Sequence, residues 1–256
     1  MTDVGGSLVV HLLFQAGLGR GATVVEFGSG AGALCRLLAR EVGPDGRVLG
    51  LDPSAFSVAR ARELSAQERL ENLSFEVADL GDTHLPWDCA DVCLARESLG
   101  SVSSPERITR EMTRIVRPSG VIAAFESDEG LVVYEPEPPA LAELRDLLAR
   151  ERLAGGGRPI SGRSLYRLLS QAGLADVRVV ALTSNSTELE WSKTRDPANH
   201  TALLLQAVDR LVEKGTLSKE EGARYGRTLD EITGNPLSFV FVCGFFAYGR
   251  RPLRCA

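Results

Sequence analysis

Lysine and histidine are scarce in this 256-residue chain, and its positive charge is thinly spread. Lysine and arginine together number 29 against 34 acidic residues, which leaves a net charge of −5. Binding to nucleic acid needs clustered cations that neutralise phosphates. This balance therefore argues against a nucleic-acid partner, and we interpret the scattered arginines as parts of solvated helix faces.

The sequence also lacks paired cysteines and long apolar runs. Its five cysteines show no CxxC motif and no metal-ligand spacing, so we expect no metal, and reduced thiols in the cytoplasm. The apolar segment Phe239–Tyr248 has only half of the roughly 20 residues that a membrane-spanning helix needs. The N-terminal run Leu8–Leu18 is interrupted by His11 and Gln15, which favours a helix over a signal sequence. We expect no membrane association.

Short apolar segments alternate with amphipathic ones, a pattern typical of a parallel sheet covered by helices on both faces. Five parallel strands are predicted, at Thr23–Phe27, Arg47–Leu51, Leu73–Val77, Asp91–Ala95 and Val121–Glu126. Two more are predicted at Val177–Leu182 and Phe239–Tyr248, around a long insertion that favours an antiparallel last strand. The expected fold is α/β and Rossmann-like, with a mostly parallel seven-stranded sheet.

The length of the chain suits one generous domain. We expect a single domain over residues 1–256, with a ligand-binding core at about 20–130. Helical insertions at about 131–160 and 185–236 are expected to cover the substrate. Loops and inserted helices vary on such a scaffold while the core remains, so these segments should determine specificity.

The segment Glu26–Gly32, which reads Glu-Phe-Gly-Ser-Gly-Ala-Gly, leaves the first strand and enters a helix. Glycine lets the backbone turn sharply and approach a ligand, while the start of the helix offers free amide donors. Asp52 ends the second strand, where a carboxylate can accept two hydrogen bonds from a ribose diol. Together these features predict a nucleoside cofactor.

Two cofactor classes fit this loop. Gly28, Gly30 and Ala33 satisfy the relaxed dinucleotide fingerprint, so an NAD-dependent dehydrogenase is one alternative. Glu26 favours the other class, because a carboxylate repels the phosphates of a dinucleotide and attracts the ammonium group of a methionine moiety.

With these residues the chain resembles the class I S-adenosylmethionine-dependent methyltransferases, in the branch of ubiquinone-biosynthesis-type and secondary-metabolite enzymes. The resemblance covers about Thr23–Gly130 and includes the Arg114–Gly120 segment before the fifth strand. It implies that the glycine loop holds the methionine part of the cofactor, Asp52 the ribose and Asp79 the adenine amino group. The implied cofactor-binding residues are Glu26, Gly28, Ser29, Gly30, Gly32, Asp52, Pro53, Ala78, Asp79, Leu80 and Ala95.

The resemblance implies methyl transfer to a small acceptor such as a quinone, a phenol or a secondary metabolite, and leaves carbon, oxygen and nitrogen open as acceptor atoms. Leu99-Gly100-Ser101 stands where many relatives have Leu-His-His, so the histidine of that loop is missing. A non-catalytic or cyclase-like cofactor-binding relative therefore stays open. The stretch before the glycine loop is short, so the N-terminal helix that covers the cofactor in the family is at most partly present. The partner subunit of a homodimer is one way to supply that cover.

The sequence does not identify the catalytic residues, but it offers three candidates: Glu97, His200 and His11. Ligands of open α/β sheets bind at the carboxyl ends of the strands, which nominates Arg96, Glu97 and Glu126–Asp128. Glu97 could act as a general base, or be a surface carboxylate paired with Arg96. His200, with Trp191, could line a substrate lid, and His11 is a weaker candidate for a residue that caps the site.

Overall fold

The computed structural model describes residues 4–154, 162–187 and 197–253, so Trp191 lies outside the described residues. The chain divides into two compact units. Unit one contains Met1–Ser127, Ile160–Ala181 and Gly244–Ala256, and unit two contains Asp128–Pro159 and Leu182–Cys243. The predicted role of the insertions at about 131–160 and 185–236, which is to cover the substrate, stays a prediction. Across the described ranges, no helix combines the length and apolarity that crossing a membrane requires.

The eight described strands are β1 (Thr23–Phe27), β2 (Arg47–Asp52), β3 (Leu73–Val77), β4 (Ala90–Arg96), β5 (Val116–Ser127), β6 (Val133–Glu135), β7 (Ala175–Asn185) and β8 (Phe239–Arg250). In unit one the first five are parallel, in the order β3-β2-β1-β4-β5. Residues 244–250 of β8 pair antiparallel with β5, and β7 also pairs with β8. The predicted parallel sheet with an antiparallel last strand is confirmed.

The eight described α-helices are α1 (Val4–Ala16), α2 (Ala33–Val42), α3 (Ala55–Gln67), α4 (Pro105–Ile115), α5 (Pro139–Ala154), α6 (Leu165–Gln171), α7 (Pro197–Glu213) and α8 (Lys219–Gly234). The central strands of unit one are apolar along almost their whole length because they are buried on both faces. One core cluster joins Phe27 and Leu51 of the sheet to Met112 of α4 and Leu169 of α6. This packing holds the carboxyl ends of β1, β2, β4 and β5 in fixed register.

Unit two has a core of its own. Its apolar cluster includes Leu141 of α5, Leu211 of α7 and Leu229 of α8, all buried. The short strand β6 pairs antiparallel with Phe239–Phe241 of β8. A segment of three residues is too short to show the alternation of apolar and polar side chains that predicts a strand. β6 is therefore an eighth described strand, in addition to the seven that the sequence predicts.

The start of β5 differs from the prediction. The sequence indicates a turn over Arg117–Gly120, but the strand already begins at Val116. Ser119 has a φ of 64°, and the register with β4 shifts between Ala90 and Val92. A local irregularity thus accommodates the turn-forming residues inside the strand, as a bulge does.

Candidate functional site

The glycine loop between β1 and α2 has a left-handed backbone at three positions. Gly28, Gly30 and Gly32 have φ angles of 79°, 52° and 74°, a region that side chains other than glycine rarely adopt. A Cβ atom on Gly28 would lie 2.5 Å from Cβ of Ser98, and one on Gly32 would lie 2.4 Å from the ring of Phe75. These two glycines are therefore required by the packing around the loop.

Gly30 differs from its neighbours because a Cβ atom there would meet nothing within 4 Å among the described atoms. Its amide donates to Asp52 Oδ2 at 2.9 Å, and the amide of Ser54 donates to Oδ1 at 2.9 Å. Asp52 is only 9% exposed at the end of β2. Two amides thus fix this carboxylate, and each of its oxygens keeps a further lone pair that can accept from a diol.

Glu26 lies near the carboxyl end of β1 and is 3% exposed. Its Oε2 accepts a hydrogen bond of 2.8 Å from Sγ of Cys35 in α2. Burial, and secondly the charge of Glu26, raises the pKa of the Cys35 thiol well above its usual value. A buried carboxylate at this place can attract a cation that reaches the glycine loop.

Ser29, in the same loop, contributes a hydroxyl that is buried and finds no hydrogen-bond partner among the described atoms. An unsatisfied buried hydroxyl costs about 1–3 kcal/mol, so its partner is expected from outside the protein or from a rotation of the side chain. Together with the open backbone at Gly30 and the carboxylates of Glu26 and Asp52, this hydroxyl fits a ligand that carries an amino group and a diol.

The segment Ala78–Leu80 follows β3 and is attached to the end of β2, since the amide of Ala78 donates to the carbonyl of Asp52 at 3.2 Å. Leu80 is buried, and its Cδ1 lies 3.9 Å from the Cβ position of Gly28. Asp79 is exposed and accepts from the Gly81 amide at 2.8 Å. That amide, more than any other group, lowers the pKa of Asp79.

Asp79 also forms an exposed ion pair with Arg107 at 2.9 Å. A ligand that uses this carboxylate would share it with Arg107. Pro53 is exposed beside Asp52, whereas Ala95 is fully buried in β4. The structure thus places the predicted residues on β1, β2, β3 and β4 at the expected strand ends, while their contacts with a cofactor stay predictions.

Two glutamates from the ends of β4 and β5 form a second group. Glu97, with a φ of 52°, accepts from the hydroxyl of Ser127 at 2.5 Å and from its amide at 3.3 Å. Glu126 is 4% exposed and accepts from the Leu99 amide at 2.7 Å. Burial, and then the charge of Glu97, raises the pKa of Glu126 to about 8. The pair therefore offers one exposed carboxylate and one buried carboxyl group that titrates near neutrality.

Ser98 is a residue that the sequence does not single out. Its hydroxyl donates to the carbonyl of Phe27 at 2.9 Å, and its Cβ occupies the space beside Gly28. The loop after β4 is thereby tied to the glycine loop. No motif includes this serine, and the contact spans 71 positions of sequence, so pattern alone could not reveal it.

The two candidate histidines have different surroundings. His11 is exposed on α1, where its ring bonds the side chain of Gln15 at 3.0 Å. His200 belongs to unit two, and both of its ring nitrogens are engaged: Nδ1 lies 2.5 Å from the Tyr134 hydroxyl and Nε2 lies 3.0 Å from Glu129. His200 is thus more enclosed than a residue on a solvent-facing helix surface, and Tyr134 and Glu129 are partners that the sequence does not indicate.

Comparisons with known proteins agree with this geometry. Residues 18–173 match a family model described as a methyltransferase domain. An arsenite methyltransferase of Halobacterium salinarum is 30% identical over 183 residues, which are 71% of this chain and 44% of that protein. The ubiquinone/menaquinone biosynthesis C-methyltransferase UbiE of Hahella chejuensis is 25% identical, over 65% of this chain and 68% of its own length. The chain spans less than half the length of the first of these relatives.

A solved structure extends the likeness to the fold. The phosphoethanolamine N-methyltransferase 2 of Haemonchus contortus, solved in complex with S-adenosyl-L-methionine, superposes with a TM-score of 0.60. The superposition covers 96% of this chain and 53% of that chain, at 15% identity. At that identity the superposition supports the fold alone. The family match over residues 18–173, more than half of the chain, shows that the chain belongs to the class I S-adenosylmethionine-dependent methyltransferases.

Proposed function

We propose that this protein transfers a methyl group from S-adenosylmethionine to a small-molecule acceptor. The observation that carries the proposal is the open backbone of Gly30, set in a loop that runs from the buried Glu26 and is hydrogen-bonded to Asp52. A ligand at this loop meets one carboxylate suited to an ammonium group and another suited to a diol, the two polar ends of that cofactor.

Each residue of the site has a proposed task. Glu26 and the glycine loop bind the amino-acid part of the cofactor, and Asp52 binds the ribose hydroxyls. Leu80 offers an apolar contact to the adenine, and Asp79 a hydrogen bond to its amino group. The cofactor supplies an electrophilic methyl group on a sulfonium sulfur. The protein therefore needs mainly to align an electron-rich acceptor atom with that methyl group and to exclude water.

Glu97 is the proposed general base for acceptors that lose a proton. It lies at the end of β4, on the side of the sheet where ligands of open α/β folds bind. Its carboxylate is oriented by Ser127, and its charge disfavours ionisation of Glu126. A carboxylate beside a carboxyl group with a raised pKa is a common acid–base arrangement.

Unit two is proposed to bind and enclose the acceptor. It contains a cavity of about 860 Å³, which is large enough for a drug-sized molecule. Leu204 and Leu211 line it beside His200 and the guanidinium groups of Arg145 and Arg152. Acidic side chains line it as well: Glu129, Glu137, Asp146 and Glu151. An acceptor with polar or ionised substituents beside an apolar part, such as a phenol, a quinol or a secondary metabolite, suits this mixed lining.

The test is formation of S-adenosylhomocysteine from S-adenosylmethionine in the presence of a panel of phenols, quinols, amines and arsenite. We expect product with at least one acceptor class, and at least tenfold less with Asp52→Ala at a cofactor concentration below saturation. Tight binding of S-adenosylhomocysteine without turnover for any acceptor would instead favour the non-catalytic or cyclase-like alternative.

We also propose that the protein is located in the cytoplasm and forms a homodimer. Cys35, Cys89, Cys93 and Cys243 are not joined in disulfides, and three of them are buried, which suits a reducing compartment. Light scattering of the purified protein distinguishes a dimer from a monomer.

A further inference from the structure

We propose that Cys35 is a positioning residue for the cofactor, because its thiol holds the carboxylate of Glu26 in the orientation that receives the cofactor's ammonium group. The inference rests on the proposed function, since it takes Glu26 as the ligand of that ammonium group. Cys35 would not touch the cofactor and would act only through Glu26.

The contact joins two side chains that are almost fully removed from solvent. Sγ of Cys35 lies 2.8 Å from Oε2 of Glu26, and the two residues are 0% and 3% exposed. A buried carboxylate needs hydrogen-bond donors in place of water. The thiol supplies one such donor and holds Oε2, one of the two carboxylate oxygens.

The position of Cys35 in α2 makes this contact specific. The buried side chains of α2 are Leu34, Cys35, Leu38, Ala39 and Val42. Among these five, the cysteine alone has a hydrogen that it can donate. The first turn of the helix is closely packed, because the ring of Phe75 occupies the space that a side chain on Gly32 would need. The thiol is therefore presented to Glu26 by a constrained turn.

The chemistry of the thiol agrees with a donor role. Burial raises the pKa of Cys35, and the negative charge of Glu26 raises it further. The group consequently stays protonated in the neutral range, where a thiolate would repel the carboxylate. The same enclosure makes the thiol a poor nucleophile, which leaves its hydrogen bond as its contribution.

Two ligands separate this role from a merely structural one. S-Adenosylhomocysteine carries the ammonium group, whereas 5′-methylthioadenosine keeps the adenine, the ribose and the sulfur but has no amino-acid part. Calorimetry with both ligands on Cys35→Ala should give about threefold to tenfold weaker binding of S-adenosylhomocysteine, the factor expected for one hydrogen bond. Binding of 5′-methylthioadenosine should be unchanged within about twofold, and it also reports that the variant is folded.

Cys35→Ser provides the matched rescue, because a hydroxyl can donate to Glu26 as the thiol does. We expect it to restore S-adenosylhomocysteine binding to within about twofold of the wild type. A cooperative melting transition in both variants, recorded beside the affinities, should show that each of them is folded.

Three results would overturn the inference: unchanged binding of S-adenosylhomocysteine by Cys35→Ala, equal weakening of both ligands, or no rescue by serine. Glu26→Gln is the reference, and it should lose affinity for S-adenosylhomocysteine but not for 5′-methylthioadenosine. A wild-type protein that binds neither ligand would instead refute the proposed function, so the two failures are distinguishable.

Discussion

At the scale of single residues, Asp52 is the residue proposed to bind the ribose hydroxyls of the cofactor. Asp52→Ala should weaken binding of S-adenosylhomocysteine at least tenfold, because hydrogen bonds to a charged group contribute about 1.5–3 kcal/mol. Calorimetric titration measures the loss. Asp45→Ala, which removes an exposed carboxylate from a turn, is the control and should bind like the wild type. Equal affinities of Asp52→Ala and wild type would contradict the site.

Glu126 makes a prediction about pH. Its pKa is raised from the ordinary value of 4.5 to about 8, so the folded protein binds this proton more tightly than the unfolded chain does. A group of this kind destabilises the fold as pH rises from 4.5 to 8. Glu126→Gln should therefore lose less stability than the wild type across that window, as judged by urea midpoints at pH 5 and pH 8.

Glu97→Gln is the matched variant for that experiment. It removes the neighbouring charge that helps to raise the pKa of Glu126, while burial continues to act. The stability of Glu97→Gln should consequently depend on pH less than that of the wild type and more than that of Glu126→Gln. Identical pH dependence in all three proteins would show that Glu126 does not titrate in this window.

Single residues also show what a sequence can and cannot reveal. Glu26 and the three glycines stand close together at the end of β1, and Asp52 ends β2. Their placement could therefore be predicted. Cys35 and Ser98 belong to no motif, and their contacts arise only when α2 and the loop after β4 pack against β1. The hydrogen bonds of His200 to Tyr134 and Glu129 span 66 and 71 positions, which no local pattern encodes.

At the scale of elements, the start of α2 depends on glycine for two different reasons. Gly32→Ala would combine a left-handed φ of 74° with a collision against Phe75. We expect a loss of about 2–4 kcal/mol in the free energy of unfolding, measured in urea. A loss below 1 kcal/mol would mean that the helix start can shift freely, contrary to the close packing described above.

Gly30→Ala is the comparison within the same loop. Its φ of 52° carries a similar backbone cost of about 1–2 kcal/mol, but a methyl group there meets no described atom within 4 Å. Gly30→Ala should therefore be more stable than Gly32→Ala, while its binding of S-adenosylhomocysteine falls because the methyl group occupies the ligand's side of the loop. Wild-type affinity in Gly30→Ala would contradict the proposed path of the cofactor.

Element boundaries were predictable where periodicity is long and regular. The strands β1 and β3 have the predicted bounds, and α2 and α3 begin and end close to the glycine and proline turns that flank them. The prediction was wrong at Arg117–Gly120, because the strand begins at Val116 and these four residues lie within it, in the register shift between the pairs Ala90–Val116 and Val92–Val121. Backbone hydrogen bonds to Arg251 hold Ser119 and Gly120 there. The three-residue strand β6 depends on its antiparallel partner and has no local signal.

At the scale of the whole molecule, the proposed cofactor site belongs to unit one, and unit two has an apolar core of its own. The glycine loop, Asp52 and Asp79 follow one another in the order of the family's motifs, which is why the cofactor could be inferred from the sequence. The acceptor could not, since the insertions that form unit two follow no such pattern. The identity of the acceptor is therefore a question for the turnover panel.

The central claim is that the glycine loop, Asp52 and Asp79 recognise S-adenosylmethionine and not a dinucleotide. Calorimetric titration of the wild-type protein with S-adenosylhomocysteine and, separately, with NAD tests it most directly. We predict saturable binding of S-adenosylhomocysteine in the micromolar range, about −8 kcal/mol, and no heat of binding with NAD. Binding of NAD without binding of S-adenosylhomocysteine would contradict the account.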